Sequence, residues 1–207
     1  MAAGMPHVVA IAAPIGGGKS TLAQALAVAL GEAGALAFDD YETATQMSPP
    51  QLQDWLANGA VFGDLQAPGL DVAFAALRRG ETVLSPDGMP LRIARHLIFE
   101  MPLGRSWAAT ADLIDTLIWV DVPLDLALAR RIREIVADLQ RQEATRMRHG
   151  LGWLHDYLEQ YATTVHQILD EQHRAIRPQA DLCIDGSKPV QALVEEVVRF
   201  LNERQTP

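Results

Sequence analysis

The feature that most constrains this chain is a glycine-rich segment near its start, residues 13–21, which reads APIGGGKST. The segment fits the phosphate-binding loop pattern, with alanine in place of the usual first glycine. An apolar run typical of a buried strand precedes it, and leucines at intervals of four, Leu22, Leu26 and Leu30, indicate a helix after it. A strand, a glycine loop and a helix in this order predict a site for the phosphates of a nucleotide; the alternative is a glycine turn without a ligand.

Each residue type in the loop suits phosphate binding. Three consecutive glycines let the main chain turn so that its N–H groups face inward and form a concave anion site. A helix that begins near Lys19 adds the positive end of its dipole at the same point. Lys19 can bridge the β- and γ-phosphates, and the hydroxyl of Ser20 can ligate Mg²⁺. The residues predicted to bind the nucleotide here are Gly16, Gly17, Gly18, Lys19, Ser20 and Thr21.

Short apolar runs alternate with longer helix-like segments along the chain, a pattern that predicts a parallel sheet covered by helices. The runs predicted as strands are residues 7–13, 35–38, 95–99, 117–120 and 182–184. Four of the five are followed by a carboxylate, and ligands of open α/β sheets bind outside the carboxyl ends of the strands. The fold class is therefore α/β, with one domain over residues 1–207.

Two longer segments lie between the predicted strands. Residues 42–90 contain proline and glycine turns around short helical patches such as 70–79. Residues 124–175 have a helical pattern that we expect to be interrupted around Gly150 and Gly152. Cys183, in the last predicted strand, and the four tryptophans are expected to pack in the interior.

The charge distribution restricts the partners. The chain has 17 basic and 26 acidic residues, a net charge of −9, which disfavours nucleic acid and anionic membranes as partners. Six of its 15 arginines nevertheless fall within residues 130–148. Because arginine forks suit phosphate oxygens, we predict that at least one of Arg130, Arg131 and Arg133 contacts the nucleotide. The alternative is a solvated helix face on which arginines alternate with acids.

Composition also indicates the compartment. No apolar run approaches the roughly 20 residues that span a bilayer. The run at residues 8–13 is too short for a signal peptide and lacks preceding basic residues. A single cysteine fits a reducing compartment, so we expect a cytoplasmic protein that does not enter a membrane.

Carboxylates at two strand ends are candidates for chemistry. Asp39 and Asp40 follow the second predicted strand, where a carboxylate can accept a proton from an acceptor hydroxyl and help to orient a metal. Glu100 ends the third predicted strand and can hold Mg²⁺ through water. The alternative for the aspartates is a turn or cap pair, and for Glu100 a plain strand-end carboxylate.

No Asn-Lys-x-Asp motif, the guanine signature of GTPase switches, occurs in the sequence. A kinase for small molecules needs an acceptor site, a carboxylate base and an arginine-rich lid, and the chain offers candidates for each. Two other hypotheses stay open: a regulatory ATPase without a small-molecule acceptor, and a module that binds a nucleotide without chemistry.

On these residues the chain resembles the uridine kinase family of phosphate-loop kinases, which includes phosphoribulokinase, bacterial pantothenate kinase and nicotinamide riboside kinase. VVAIAAPIGGGKSTL at 8–22 resembles the family's first strand and loop. Asp39-Asp40-Tyr41 resembles its Asp-x-aromatic motif, and LIFE at 97–100 its strand ending in a functional Glu. IWVDVPLDLALARRIRE at 118–134 resembles the fourth strand and the start of an arginine lid.

The resemblance implies Mg²⁺-dependent transfer of the ATP γ-phosphate to a hydroxyl of a small metabolite, in a sheet with helices on both faces, with 42–90 as an acceptor-side insert and 128–152 as a lid. It also suggests a homodimer. The roles it implies are catalytic for Asp39, the general base, and for Lys19 and Arg131; nucleotide binding for Arg130 and Arg133; substrate binding for Asp40, Tyr41, Asp64 and Glu100; and metal binding for Ser20, Asp39 and Glu100. The chain departs from uridine kinases at Pro86-Asp87-Gly88, where they have Tyr-Asp after the proline, so the aromatic side chain that faces a pyrimidine is missing.

Overall fold

The computed structural model of the 207-residue chain describes residues 5–31, 34–43, 47, 49–59, 61–84, 88, 90–91 and 95–205. Its strands are β1 (His7–Ala12), β2 (Gly34–Ala37), β3 (Val83–Leu84), β4 (Pro90–Leu91), β5 (His96–Glu100), β6 (Thr116–Asp121) and β7 (Leu182–Asp185). Its longer helices are α1 (Lys19–Leu30), α2 (Pro49–Ala57), α3 (Leu70–Arg78), α4 (Leu124–Gln140), α5 (Ala144–Gln160), α6 (His166–Ile176) and α7 (Val190–Gln205).

One parallel sheet organises the chain. Its five strands have the order β2-β5-β1-β6-β7, which confirms the predicted five-stranded parallel sheet. β3 and β4 form a separate antiparallel pair within the segment 42–90. Because parallel neighbours need crossovers that return the chain to the same end of the sheet, the five strands all finish at one edge. We call it the carboxyl edge.

Helices cover both faces of the sheet because the central strand is apolar on both sides. Side chains alternate along β1, so that Val8 and Ala10 pack on one face and Val9 and Ile11 on the other, all fully buried. On the Val9 face, α1 and α7 contribute Leu22, Leu26, Leu193, Val197 and Leu201. On the Val8 face, α3 and α6 contribute Leu70, Phe74, Leu77 and Ile176.

Helices α4 and α5 form a hairpin with its own small cluster, in which Ile135 and Leu139 pack against Leu154. Residues 141–143 connect the two helices, whereas Gly150 and Gly152 lie within α5. The expected interruption of the helix around these two glycines is therefore wrong. A Cβ atom on Gly150 would lie only 2.0 Å from Cδ2 of Leu139. This glycine therefore permits close packing of two helices instead of ending one.

The junction between α5 and α6 is a π-helical turn, Tyr161–Val165, so the two helices are continuous. Such turns widen a helix locally and are frequent near functional sites. Nδ1 of His166 lies 3.0 Å from the main-chain carbonyl oxygen of Tyr161. The hydroxyl of Thr163 donates a hydrogen bond to the main-chain carbonyl oxygen of Glu159 at 2.9 Å.

Two expectations about interior residues are wrong. Cys183 is exposed, because β7 is an edge strand that pairs, within the described part of the chain, with β6 alone. Trp107 and Trp119 are buried as expected, whereas Trp153 on α5 is 53% exposed. Pro86 and Asp87 lie outside the described residues.

Among the described residues, no helix combines the length and the apolar composition that crossing a bilayer requires.

The packing of α1 gives a direct test of the sheet arrangement. Leu26→Ala is expected to lower the free energy of unfolding by about 2–5 kcal/mol, because the fully buried side chain leaves a cavity against β1. Val28→Ala, on the same helix but 82% exposed, should change it by less than about 0.5 kcal/mol. Urea unfolding of both variants measures the difference. Equal effects would contradict the assigned face of α1.

Candidate active site at the carboxyl edge

The candidate site forms where β1, β2 and β5 end side by side. Glu100, the last residue of β5, lies opposite Ile11 of β1 in one register and opposite Ala37 of β2 in the other. The glycine loop follows β1, and a 3₁₀ turn, Phe38–Asp40, follows β2 directly. Parallel pairing therefore brings the loop, the two aspartates and Glu100 to one place. The sequence pattern, in which carboxylates follow the strands, predicted that polar side chains would gather at this edge.

The glycine loop has a conformation that its residues require. Gly16 and Gly18 have φ angles of +74° and +91°, in the left-handed region that favours glycine. A Cβ atom on Gly16 would lie 2.1 Å from the carbonyl oxygen of Ala127, so α4 packs directly on the loop. Gly18 caps α1 through its backbone conformation, with no side-chain hydrogen bond to the first turn. The N–H groups of that turn point toward the place where an anion would bind.

A short hydrogen bond joins the loop helix to β5. The hydroxyl of Ser20 donates to Oε2 of Glu100 at 2.6 Å. Burial raises the pKa of Glu100 above its ordinary value, while the Ser20 hydrogen bond and the charge of Lys19 act in the opposite direction. The negative charges of Asp39 and Asp40 raise that pKa further. Ser20, Lys19, Asp39 and Asp40 therefore all act on the half-buried carboxyl of Glu100, although Ser20 and the two aspartates are exposed.

The donor set of this cluster fits Mg²⁺. Its candidate ligands, Ser20, Asp39 and Glu100, offer only hydroxyl and carboxylate oxygens, which are the ligands that Mg²⁺ prefers. Within the described ranges, no group of three or more His, Cys, Asp and Glu side chains forms a metal cage. Mg²⁺ in phosphate-transfer sites is usually held by one or two protein oxygens together with phosphate oxygens and water, so such a cage is not needed.

A cavity of about 210 Å³ opens on the other side of the glycine loop. Arginine and lysine side chains face glycine backbone there, and Nη1 of Arg130 donates to the carbonyl oxygen of Gly186 at 2.9 Å, which ties α4 to the loop after β7. The residues that line the cavity include Gly16, Gly17, Gly18, Thr21, Arg130, Arg133, Gly186 and Lys188. The cavity therefore joins the two segments predicted to bind the nucleotide, the glycine loop and the arginines of α4, with the loop after β7.

Lys188 is a lining residue that the predicted site omitted. It follows the strand-ending Asp185 and Gly186, and its Nζ lies 3.4 Å from Oε2 of Glu196 on α7. The signal for it was present, since the chain has only two lysines and the other, Lys19, is in the glycine loop.

Arg131 lies on the α4 side that contacts the loop. Its Cβ is 3.2 Å from the position that a Cβ on Gly16 would take, and its Nη1 is 3.5 Å from Oε2 of Glu134. Its Nε is buried and has no hydrogen-bond partner among the described residues. The hydroxyl of Tyr157 on α5 is likewise buried and unpartnered there; burial raises its pKa, and the charge of Arg131 acts against that rise.

The predicted acceptor-side residues lie on two neighbouring segments. Tyr41 is partly buried, and burial together with the charge of Asp40 raises its pKa. The main-chain N–H of Thr43 donates to the carbonyl of Gln66 at 3.0 Å, and Asp64 lies two residues before Gln66 with an exposed side chain. The structure thus brings the Tyr41 segment and the Asp64 loop together.

Solved structures of several kinases match this architecture. They include a shikimate kinase from Acinetobacter baumannii in complex with shikimate, a possible uridine kinase from Bacillus stearothermophilus and a gluconokinase from Sinorhizobium meliloti 1021. The shikimate kinase is 17% identical with a TM-score of 0.52, and the match covers 98% of this chain and 96% of that one. The possible uridine kinase is 14% identical with a TM-score of 0.52, covering 87% and 89%. The gluconokinase is 13% identical with a TM-score of 0.51, covering 97% and 94%. The chain has the fold of these kinases. No family model and no curated protein sequence matches it.

The half-buried carboxylate of Glu100 predicts a pH-dependent stability change. Glu100→Gln should raise the melting temperature of the ligand-free protein at pH 7, because burial raises the pKa of Glu100 and the folded state disfavours its charge. The cost of burying the charge exists only at pH values at which the carboxyl of the unfolded chain is ionised. The gain in melting temperature should therefore disappear below about pH 4.3. Thermal melts from pH 3.5 to 8 measure it.

Glu203→Gln, at an exposed position on α7, is the matched control and should show no such trend. A lower melting temperature for Glu100→Gln at pH 7, or a gain that is the same at pH 4 and pH 7, would contradict the effect of burial.

Proposed function

We propose that the chain is an ATP-dependent kinase that transfers the γ-phosphate to a hydroxyl of a small metabolite. The observation that carries this proposal is the carboxylate cluster joined to the phosphate loop, in which Ser20 hydrogen-bonds Glu100 beside Asp39 and Asp40. A site that only binds a nucleotide does not need a base beside the γ-phosphate position, whereas a phosphotransferase does. The shared fold with three kinases supports the same class.

The nucleotide side of the site follows from the loop and the adjoining cavity. The N–H groups of the loop and Lys19 hold the β- and γ-phosphates. Arg130, Arg133 and Lys188 supply positive charge along the cavity of about 210 Å³. When bound, Mg²⁺ neutralises charge on the phosphates, and Ser20, Asp39 and Glu100 are the oxygen ligands proposed to hold it directly or through water.

The acceptor side lies at the ends of β2 and β5. Asp39 accepts the proton of the acceptor hydroxyl as the hydroxyl oxygen attacks the γ-phosphorus. The bond between the γ-phosphorus and the β,γ-bridging oxygen breaks, ADP is the leaving group, and Asp39 releases the proton to solvent after the products leave. Asp40, Tyr41, Asp64 and Glu100 orient the acceptor. Residues 42–90 then serve as an acceptor-side insert and 128–152 as a lid that excludes water.

The acceptor class is inferred from the polar side chains at the acceptor side and not from an aromatic pocket. Aspartates at positions 39, 40 and 64 suit hydroxyl groups, which donate hydrogen bonds to carboxylates. One kinase of the same fold is in complex with shikimate. The motif at 39–41 favours a uridine-kinase-like arrangement, while the missing aromatic at Pro86-Asp87-Gly88 argues against a pyrimidine nucleoside. We therefore propose a hydroxylated sugar, a nucleoside of another kind or a vitamin-like metabolite.

The role of Asp39 is tested by Asp39→Asn, which keeps the size of the side chain and removes its basicity and its charge. Asp39→Asn should lower turnover by about 10²- to 10⁴-fold, since the acceptor hydroxyl loses its proton acceptor. Its affinity for the non-hydrolysable analogue AMP-PNP should stay within about threefold, because the loop contacts remain. Turnover is followed as ADP formation with an active acceptor.

Asp112→Asn, an exposed carboxylate in the turn before β6, is the control and should keep full turnover. Unchanged turnover in Asp39→Asn would remove the base from the proposal. ADP formation that is independent of every acceptor in the parent chain would favour a regulatory ATPase.

Arg131 is proposed to neutralise charge on the transferring phosphoryl group. Arg131→Ala should lower kcat by about 10²- to 10³-fold with a smaller effect on AMP-PNP affinity, because the contact strengthens only in the transition state. Arg141→Ala, a 73%-exposed residue at the end of α4, should be unaffected. If Arg131→Ala keeps its kcat while Arg130→Ala or Arg133→Ala loses it, the role belongs to Arg130 or Arg133.

A further inference from the structure

A second cavity, of about 610 Å³, lies at the carboxyl edge between β6, β7, α6 and the start of α4. In the strand order, β6 is three positions from β2, and Asp39 lies in the turn directly after β2. At about 4.8 Å per strand, the two ends are about 14 Å apart, with the phosphate loop between them. The cavity is therefore separate from the proposed acceptor position.

The floor of this cavity is apolar and well packed. Trp119, Leu169 and Ile184 line it, and each is at most 7% exposed. Its volume is within the range of about 300–1,000 Å³ that holds small organic ligands. The floor would therefore cover an apolar body, such as an aromatic ring or a short alkyl chain.

The polar lining is acidic once its internal pairs are counted. Asp121 is neutralised by Nε of Arg177 at 3.1 Å and accepts from the Trp119 indole at 3.4 Å. Asp185 accepts hydrogen bonds from Ser187. Asp170 is exposed, and over the described ranges its carboxylate has neither a hydrogen bond nor an ion pair. A negative charge thus remains available beside an apolar floor.

We propose that this cavity is a second ligand site, for a small molecule that combines an apolar body with a cationic group such as a primary amine. The apolar body packs on Trp119, Leu169 and Ile184, and the ammonium group pairs with Asp170. A carboxylate ligand of the same size is disfavoured, because three carboxylates, Asp121, Asp170 and Asp185, line the cavity with one arginine. Nε of that arginine, Arg177, and Nε2 of His173 both lie near Asp121, at 3.1 and 3.8 Å from its carboxylate oxygens.

The same three chain segments form the walls of this cavity and of the cavity proposed for the nucleotide. Pro14 lines the larger cavity and the loop glycines line the smaller one. Leu124 and Arg130 on α4 divide between them in the same way, as do Asp185 and Gly186 after β7. A ligand in the larger cavity therefore alters nucleotide affinity. This coupling rests on the proposed function, whereas the ligand site itself does not.

Cys183 makes the site measurable, because it lines the cavity, is exposed and is the only cysteine of the chain. The probes are 2-phenylethylamine, 3-phenylpropionate and 2-phenylethanol, which share a ring and differ in charge. The rate of Cys183 alkylation by N-ethylmaleimide, followed by mass spectrometry, should fall saturably with the amine only. Asp170→Asn should abolish this protection, and Asp112→Asn should retain it.

A second readout is direct. The indole N–H resonance of Trp119, assigned by its loss in Trp119→Phe, should shift with the amine in the parent chain and not in Asp170→Asn. No shift and no protection would overturn the site. Equal protection by the carboxylate or the alcohol would overturn the ligand class, and protection by ATP would make the cavity part of the nucleotide site.

The coupling has its own measurement. Saturating 2-phenylethylamine should change the AMP-PNP affinity of the parent chain by about fivefold or more, and leave that of Asp170→Asn unchanged. An unchanged affinity in a chain whose Cys183 is protected would overturn the coupling and leave the ligand site standing. Loss of AMP-PNP binding without the amine would instead count against the proposed function.

Discussion

The position of β1 is the constraint on which the rest of the structure depends. The strand is paired on both edges, with β5 and β6, and its residues from Val8 to Ala12 are fully buried. Its end is thus held rigidly, and the glycine loop leaves from a fixed point. The parallel register then brings Glu100 and the turn after β2 beside that loop. Strand pairing therefore assembles the described part of the candidate site.

Charge is arranged around this point with opposite signs on its two sides. Toward β2, Asp39, Asp40 and Glu100 form a negative cluster, and burial raises the pKa of Glu100. Toward α4 and β7, Arg130 and Lys188 are beside the glycines. A polyanionic ligand and a proton acceptor can therefore occupy adjacent positions although the chain as a whole carries a net charge of −9. Both are needed for phosphate transfer to a hydroxyl.

Local patterns predicted the parts of the structure that depend on neighbouring residues in the chain. The glycine loop, the five strands of the parallel sheet and the place of Glu100 at a strand end follow from apolar runs and from the spacing of glycine and leucine, whereas the short strands β3 and β4 were not predicted. The sequence does not show which side of a strand remains open, so Cys183 on the edge strand β7 was expected in the core. Gly150 was expected to interrupt a helix. The expectation failed because the reason for this glycine, its close approach to Leu139, arises only when α4 and α5 pack. The larger cavity is lined by segments far apart in the chain, from Pro14 to Asp185, which no local pattern brings together.

The central claim is that the γ-phosphate is transferred to a hydroxyl of a small molecule. The most direct measurement is an ADP-release screen over hydroxylated metabolites with ATP labelled in its γ-phosphate, followed by identification of the labelled product. The account predicts acceptor-dependent ADP formation with the label in a phosphate monoester of one acceptor class. ADP formation at one rate for all acceptors, with the label only in inorganic phosphate, would contradict it.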